Sequence, residues 1–207
     1  PLSPGWATPT LVANAGHLFF DPDIAQFGDQ NTQEIIYTFI SNRTAWGQPV
    51  NRIGYVRRTE DLSTLTQSLT MLNFPGYSTT HVHSQSLVQL DDFDSYAIAF
   101  SAIDFAKAKP DYDIYCIELN GSLDYTKAIP HQATRDYSDE LYPNLSQLKS
   151  ADHSLVTVFQ HTQMPFEGSL GIISSRDYGK NWGRIDHLNN IANNIQRMEY
   201  PDWGFVE

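Results

Sequence analysis

The feature that most constrains the fold is a repeat of about sixty residues that runs through the chain. Each copy begins with a short segment, here called the anchor, whose aliphatic residue is Ile24, Leu87 or Leu145. These residues are 63 and 58 positions apart, and Trp203, 58 positions after Leu145, marks a fourth anchor. A period of this length is typical of architectures in which one small unit stacks against the next.

Each anchor is followed by the same succession of segments: a central apolar segment, a polar loop, a third segment, a turn and a weaker outer segment. The central segments are 35–40, 96–100 and 155–159, the third ones are 52–56, 113–117 and 170–173, and the outer ones are 69–72, 126–129 and 182–185. Four short strands in this order are the plan of a propeller blade. We therefore predict an all-β fold, a β-propeller of four-stranded antiparallel blades.

The repeat assigns about three and a half blades to this chain. Residues 1–207 form one propeller-type unit, with copies at about 20–82, 83–140 and 141–199 and the start of a fourth at 200–207. Closed propellers have about four to eight blades. Either other chains complete the ring, as a homo-oligomer or with a partner chain, or missing sequence does, and both alternatives stay open.

Composition excludes several classes of partner. The formal net charge of −11 repels a polyphosphate backbone, so we expect no nucleic acid. No apolar stretch has the roughly 20 residues of a spanning helix, so no membrane span is expected. Cys116, the one cysteine, lies in an apolar run and is predicted to be buried. The compartment is unknown, with an extracellular or periplasmic location favoured if a leader was removed.

The turn of the third copy contains Ser175, Asp177, Gly179 and Trp182 in the spacing Ser-x-Asp-x-Gly-x-x-Trp. It resembles the Asp-box, or BNR repeat, of sialidase-like propellers. We expect Asp177 to accept backbone N–H bonds, Gly179 to take a positive φ and Trp182 to pack over the blade. Such a turn stabilises the outer side of a blade and gives no information about catalysis.

The opening copy resembles the first blade of five-bladed glycoside hydrolases of the arabinanase and xylosidase type, on segments 20–24, 37–39 and 55–62. The resemblance implies a general base in the first anchor, either Asp21 or Asp23, and a general acid just before the third anchor, Glu140. An Asp of the second anchor orients the base in that family, whereas this chain has Ser84 and Gln85 there.

The anchors are where we predict the site, because the first strand of every propeller blade lines the central channel. The candidate catalytic residues are Asp23, Glu140 and Asp21, and the candidate substrate-binding residues are His83, Tyr142, His81 and Trp203. Glycosidic cleavage needs one protonated and one ionised carboxyl, which Asp23 and Glu140 could supply. The alternative for Asp21 and Asp23 is that they cap a turn that contains Pro22.

These observations predict a carbohydrate-active protein and favour a glycoside hydrolase, with a glycan or oligosaccharide as its partner. A non-catalytic lectin-like or scaffold propeller is one alternative, since segment 113–122 resembles the repeats of TolB-type binding propellers. A polysaccharide lyase that uses His and Tyr is another, since His81 and His83 face the same side of an extended strand.

We expect no cofactor and no metal site, because no His or Cys spacing matches a closed zinc set. The acidic turn of Asp91, Asp92 and Asp94 leaves calcium open.

Overall fold

The fold is described from a computed structural model of the chain. The structure describes residues 18–27, 34–45, 48–59, 70–71, 82–90, 95–103, 110–120, 129–148, 154–163 and 166–187. Within these ranges the regular secondary structure consists of β-strands. In chain order the strands are β1 (Leu18–Phe27), β2 (Glu34–Ala45), β3 (Gln48–Thr59), β4 (Thr70–Met71), β5 (Val82–Gln89), β6 (Ser95–Ile103), β7 (Tyr112–Asn120), β8 (His131–Gln132), β9 (Asp139–Gln147), β10 (Leu155–Gln163), β11 (Phe166–Ser175) and β12 (Asp186–His187).

The strands form three antiparallel sheets, each of four strands that are consecutive in the chain. The orders are β1-β2-β3-β4, β5-β6-β7-β8 and β9-β10-β11-β12, and the inner strand β5 contacts both β1 and β9. The prediction of an all-β fold built from four-stranded antiparallel blades is therefore confirmed. Among the described residues the three sheets do not close into a ring. The expected fourth copy at 200–207 lies outside the described residues.

Two outer strands begin later than the sequence predicts. In the second sheet the outer strand is β8 rather than 126–129, and Ile129 is 63% exposed instead of packed. The N–H of Ala133, directly after β8, donates to the carbonyl of Ile114 at 2.7 Å and fixes the register of β8. In the third sheet Trp182 makes only an isolated antiparallel bridge to Ser175, and the outer strand starts at Asp186.

The described core lies between the second and third sheets. Strand β6 is buried from Ser95 to Ala102, as expected of a strand covered on both faces. Phe159 from the third sheet packs in one cluster with Ala99 and Cys116 of the second. The predicted burial of Cys116 is confirmed, and that burial raises the pKa of its thiol to about 12.

Backbone-to-side-chain hydrogen bonds join the inner strands at equivalent anchor positions. The N–H of Leu87 donates to Asp23 Oδ2 at 2.7 Å, and the N–H of Leu145 donates to Ser86 Oγ at 3.1 Å. Asp23 and Ser86 each directly precede the aliphatic residue of their own anchor. The sequence repeat thus corresponds to a repeated contact between successive blades.

The turn after β11 has the local geometry that the sequence predicts. Asp177 Oδ1 accepts the N–H groups of Lys180 and Asn181 at 3.1 and 2.9 Å, and Gly179 has φ 84°. Trp182 Nε1 donates to the carbonyl of Gly179 at 2.8 Å, and its ring packs against the core cluster. The turn therefore covers the core and closes the end of the third blade.

Candidate functional site

Each of the three inner strands carries a register shift, which starts three residues before the aliphatic anchor residue in β1 and β9 and four residues before it in β5. In β1, β5 and β9, two residues stand opposite a single residue of the neighbouring strand. The first residue of each pair is Asp21, His83 and Tyr142, respectively. Because a bulge re-aims side chains and increases local twist, these positions are suited to a site rather than to regular packing. Three residues that the sequence selected thus each occupy the first position of a bulge in successive blades.

The structure brings two of these predicted residues into contact. The rings of His83 and Tyr142 meet edge to face with their centres 5.0 Å apart, and Tyr112 contacts His83 in the same way at 5.6 Å. We call His83, Tyr112 and Tyr142 the aromatic cluster. All three side chains are partly exposed, so a ligand can reach them from solvent. Burial, followed by the nearby Asp139 carboxylate, raises the pKa of Tyr112.

Tyr142 has a strained backbone. Its φ is 52°, a left-handed conformation that costs a non-glycine residue about 1–3 kcal/mol. The strain is held by a hydrogen bond from the N–H of Tyr142 to Ser84 Oγ at 2.9 Å. Ser84 is buried and also bonded to Ser101 Oγ at 3.0 Å. Strain that the neighbouring blade maintains is typical of functional positions.

Asp23 has the contacts of a structural residue. Its two carboxylate oxygens accept the N–H groups of Ile24 and Leu87, at 2.8 and 2.7 Å. These bonds tie β1 to β5, and both the catalytic role of Asp23 and the capping alternative stay predictions. The remaining candidates, His81, Trp203 and the acidic turn of Asp91, Asp92 and Asp94, lie outside the described residues.

Glu140 lies at the start of β9 with its side chain fully buried, at 0% exposure. Thr134 Oγ1 donates to its Oε2 at 3.0 Å, whereas its Oε1 has no hydrogen-bond partner among the described residues. Burial raises the pKa of Glu140 to about 11, with a second contribution from the Asp136 carboxylate. The carboxyl is therefore neutral at pH 7 unless a cation compensates its charge.

A group of residues that the sequence did not reveal surrounds Glu140. His161 Nε2 is 2.9 Å from Asp136 Oδ2 and 3.6 Å from Glu140 Oε1. The ligand atoms of all three side chains lie within 4.8 Å of one another, and we call them the carboxylate-histidine cluster. Burial opposes the ionisation of Asp136, but its hydrogen bond with His161 and the adjacent Glu140 carboxyl outweigh the effect of burial and lower the pKa of Asp136.

Strand register explains how the carboxylate-histidine cluster forms. Glu140 and His161 are directly opposite each other in the pairing of β9 with β10, and Asp136 lies in the bend before β9. The residues are 4 and 21 positions apart, a spacing that is only meaningful once the hairpin register is known. Two carboxylates and an imidazole are a ligand set that could hold a divalent cation.

Comparisons with known proteins were made at the level of families, sequences and structures. No family model matches the chain, and no curated protein matches its sequence. An endo-arabinase from Bacteroides thetaiotaomicron VPI-5482 aligns over 83% of this chain with 15% identity and a TM-score of 0.48. A protein of unknown function from Dyadobacter fermentans DSM 18053 aligns over 86% of this chain and 71% of its own, with 10% identity and a TM-score of 0.38. The chain spans 62% of the length of the endo-arabinase.

Proposed function

We propose that this chain is a carbohydrate-active protein that binds a glycan at the aromatic cluster and hydrolyses its glycosidic bonds. The observation that carries the proposal is the contact between His83 and Tyr142, whose ring centres are 5.0 Å apart at the bulges of adjacent inner strands. Asp21 occupies the same register position in the first blade. Residues from different inner strands therefore supply one candidate surface.

The chemistry of the aromatic cluster suits a sugar. Partly exposed aromatic rings offer apolar faces to the C–H groups of a pyranose or furanose, and their polar ends can bond its hydroxyls. The net charge of −11 favours a neutral glycan over a polyanionic one. Both features support a neutral oligosaccharide as the ligand.

Hydrolysis requires a carboxylate near the glycosidic bond that is cleaved and a second carboxyl group that protonates the leaving oxygen. The resemblance of the opening blade to glycoside hydrolases supports Asp21 or Asp23 as the base and Glu140 as the acid. Asp21 shares its register position with the aromatic cluster, whereas Asp23 accepts two backbone N–H bonds and Glu140 is buried. We therefore propose Asp21 as the first carboxylate to test, and the roles of Asp23 and Glu140 stay predictions.

The test is a panel of chromogenic glycosides and neutral polysaccharides, arabinan among them, incubated with the purified chain. We expect turnover of at least one substrate, with a loss of about tenfold or more in His83→Ala and Tyr142→Ala. Tyr137→Ala is the matched control, because Tyr137 is 76% exposed and lies outside the aromatic cluster. Equal losses in all three variants, or no turnover of any substrate, would contradict the proposal. Glycan binding without turnover would instead support a lectin-like protein.

The contact between His83 and Tyr142 also favours a second candidate, a polysaccharide lyase. One of the two side chains would remove the proton beside the uronate carboxyl, and the other would protonate the departing glycosidic oxygen. The product would be an unsaturated uronate with a new ultraviolet absorbance. Tyr142→Phe would abolish that absorbance in a folded variant if this candidate is right, and a hydrolase would give no such product.

A further inference from the structure

We propose that Asp136, Glu140 and His161 bind a divalent transition-metal cation, of which Zn²⁺ is the best match. The carboxylate-histidine cluster would supply one nitrogen and two oxygen ligands. The proposal does not rest on glycan binding at the aromatic cluster, which shares no residue with the carboxylate-histidine cluster; only Glu140, the predicted general acid, belongs to both proposals.

The distances in the carboxylate-histidine cluster are close to those of a metal site. Zn²⁺ lies about 2.0–2.2 Å from nitrogen and carboxylate oxygen, which separates tetrahedral ligands by about 3.4 Å. The two distances from His161 Nε2, 2.9 Å to Asp136 and 3.6 Å to Glu140, bracket that value. Small rotations of the side chains would therefore complete the geometry without movement of the strands.

Neighbouring residues orient the two buried ligands from behind. Thr134 Oγ1 donates to Glu140 Oε2, which leaves Oε1 directed towards His161. Thr134 itself is fixed, since its Oγ1 accepts the N–H of Ile114 at 2.8 Å. Ser169 Oγ lies 3.5 Å from Nδ1 of His161, where it can accept the ring N–H of the tautomer that ligates through Nε2. Such outer contacts are typical of histidines and carboxylates that bind metal.

An independent observation points to a cation. Glu140 Oε1 is a buried oxygen without a hydrogen-bond partner in the described part of the chain, and such a group costs free energy unless something binds it. The buried Asp113 carboxylate lies close enough to act electrostatically on Glu140 and is bonded to Gln132 Nε2 at 3.0 Å. A divalent cation bound to Oε1 would satisfy this oxygen and would stabilise the ionised form of Glu140 beside the neighbouring carboxylates.

The ligand types and the access route favour zinc over calcium. Calcium prefers six to eight oxygen ligands, whereas zinc readily combines imidazole with carboxylates. His161 is 2% exposed and Glu140 0%, but the Asp136 side chain is 41% exposed and offers an entry from solvent. Three protein ligands would leave one tetrahedral position for water or for an added molecule.

The test begins with the purified chain, stripped with EDTA and then titrated with Zn²⁺ in a calorimeter. We expect one saturable equivalent in the wild-type chain and a loss of affinity of about 100-fold or more in His161→Ala and Glu140→Gln. His131→Ala and Glu118→Gln are matched controls, because these residues lie in the second sheet outside the carboxylate-histidine cluster. They should bind Zn²⁺ as the wild-type chain does.

A wild-type chain with no saturable Zn²⁺ binding would overturn the proposal, as would undiminished binding in the double variant H161A/E140Q. If the variants do not fold, as judged by circular dichroism, the wild-type chain decides. X-ray absorption of its bound zinc should count one histidine nitrogen and two carboxylate oxygens from the protein. A different protein donor set would show that the metal binds elsewhere.

Discussion

Gly179 is a residue whose side chain would be excluded by both its backbone and its neighbour. Its φ of 84° disfavours any L side chain, and a Cβ would stand 2.7 Å from Cys116 Sγ in the second sheet. Gly179→Ala should therefore destabilise the chain by about 2–4 kcal/mol, from backbone strain and overpacking together. Gly183→Ala is the control, because the atom nearest to its Cβ would be a carbonyl oxygen at 3.5 Å. Urea unfolding of both variants measures the difference, and equal stabilities would contradict the assigned turn geometry.

Asp177 gives a prediction about pH. Burial slightly opposes its ionisation, but hydrogen bonds from Asn181, Ser175 and Lys180 outweigh this and lower its pKa. A carboxyl with a lowered folded-state pKa stabilises above its unfolded pKa, and the contribution is lost as pH falls through the folded value. At pH 7 the free energy of unfolding of the wild-type chain should exceed that of Asp177→Asn by about 1 kcal/mol, a value that allows for solvent screening.

The stability difference between wild type and Asp177→Asn should shrink as pH falls below about 4, where the free carboxyl takes up its proton. Thermal or urea unfolding at several pH values gives that difference directly. Asp186→Asn, a change at an exposed carboxylate of β12, controls for net charge. A difference that grows towards low pH would refute the assigned hydrogen bonds.

At the scale of the strand, the contacts between anchors predict that blade packing depends on single hydroxyl and carboxylate groups. Ser86→Ala removes the acceptor for the buried N–H of Leu145 and should cost about 1–3 kcal/mol. Ser174→Ala is the control, because Ser174 is an exposed serine of β11. Chemical denaturation compares the two variants. A loss in Ser174→Ala as large as that in Ser86→Ala would mean that the contact between blades is unimportant.

The strands and turns also show which parts of the fold could be predicted from the sequence. Central strands such as β6 and β10 were predictable, because a run of apolar residues buried on both faces leaves a clear pattern. Of the outer strands, β4 lies within the predicted segment 69–72, whereas β8 and β12 were not predictable, since they have two residues each and are located by backbone pairing rather than by apolar side chains. The turn at Asp177 was predictable in detail, because its geometry is encoded locally.

The candidate site also has parts that the sequence indicates and parts that it does not. The repeat placed His83 and Tyr142 in the anchors of successive blades but aligned Tyr142 with Ser84, so the contact between the two rings was not predictable from the anchor spacing. The carboxylate-histidine cluster escaped prediction, since Glu140 and His161 become neighbours only through the register of β9 with β10. The burial of Glu140 was not predictable from the sequence either: the residue was expected to face substrate, but its side chain has no solvent exposure.

At the scale of the whole molecule, three blades place parts of several inner strands on one surface, and the aromatic cluster joins the second blade to the third. A site made from residues of successive blades is the arrangement that a propeller allows, because its inner strands are neighbours. How the ring is completed stays a prediction. Glycan binding by the aromatic cluster depends only on residues of the second and third blades.

The most direct measurement is binding on an array of neutral glycans, with the wild-type chain beside His83→Ala, Tyr142→Ala and Tyr137→Ala. We expect selective binding by the wild-type chain, its retention in Tyr137→Ala, and its loss in both variants of the aromatic cluster while they remain folded. Binding that survives in His83→Ala and Tyr142→Ala, or an array without any bound glycan, would contradict the claim.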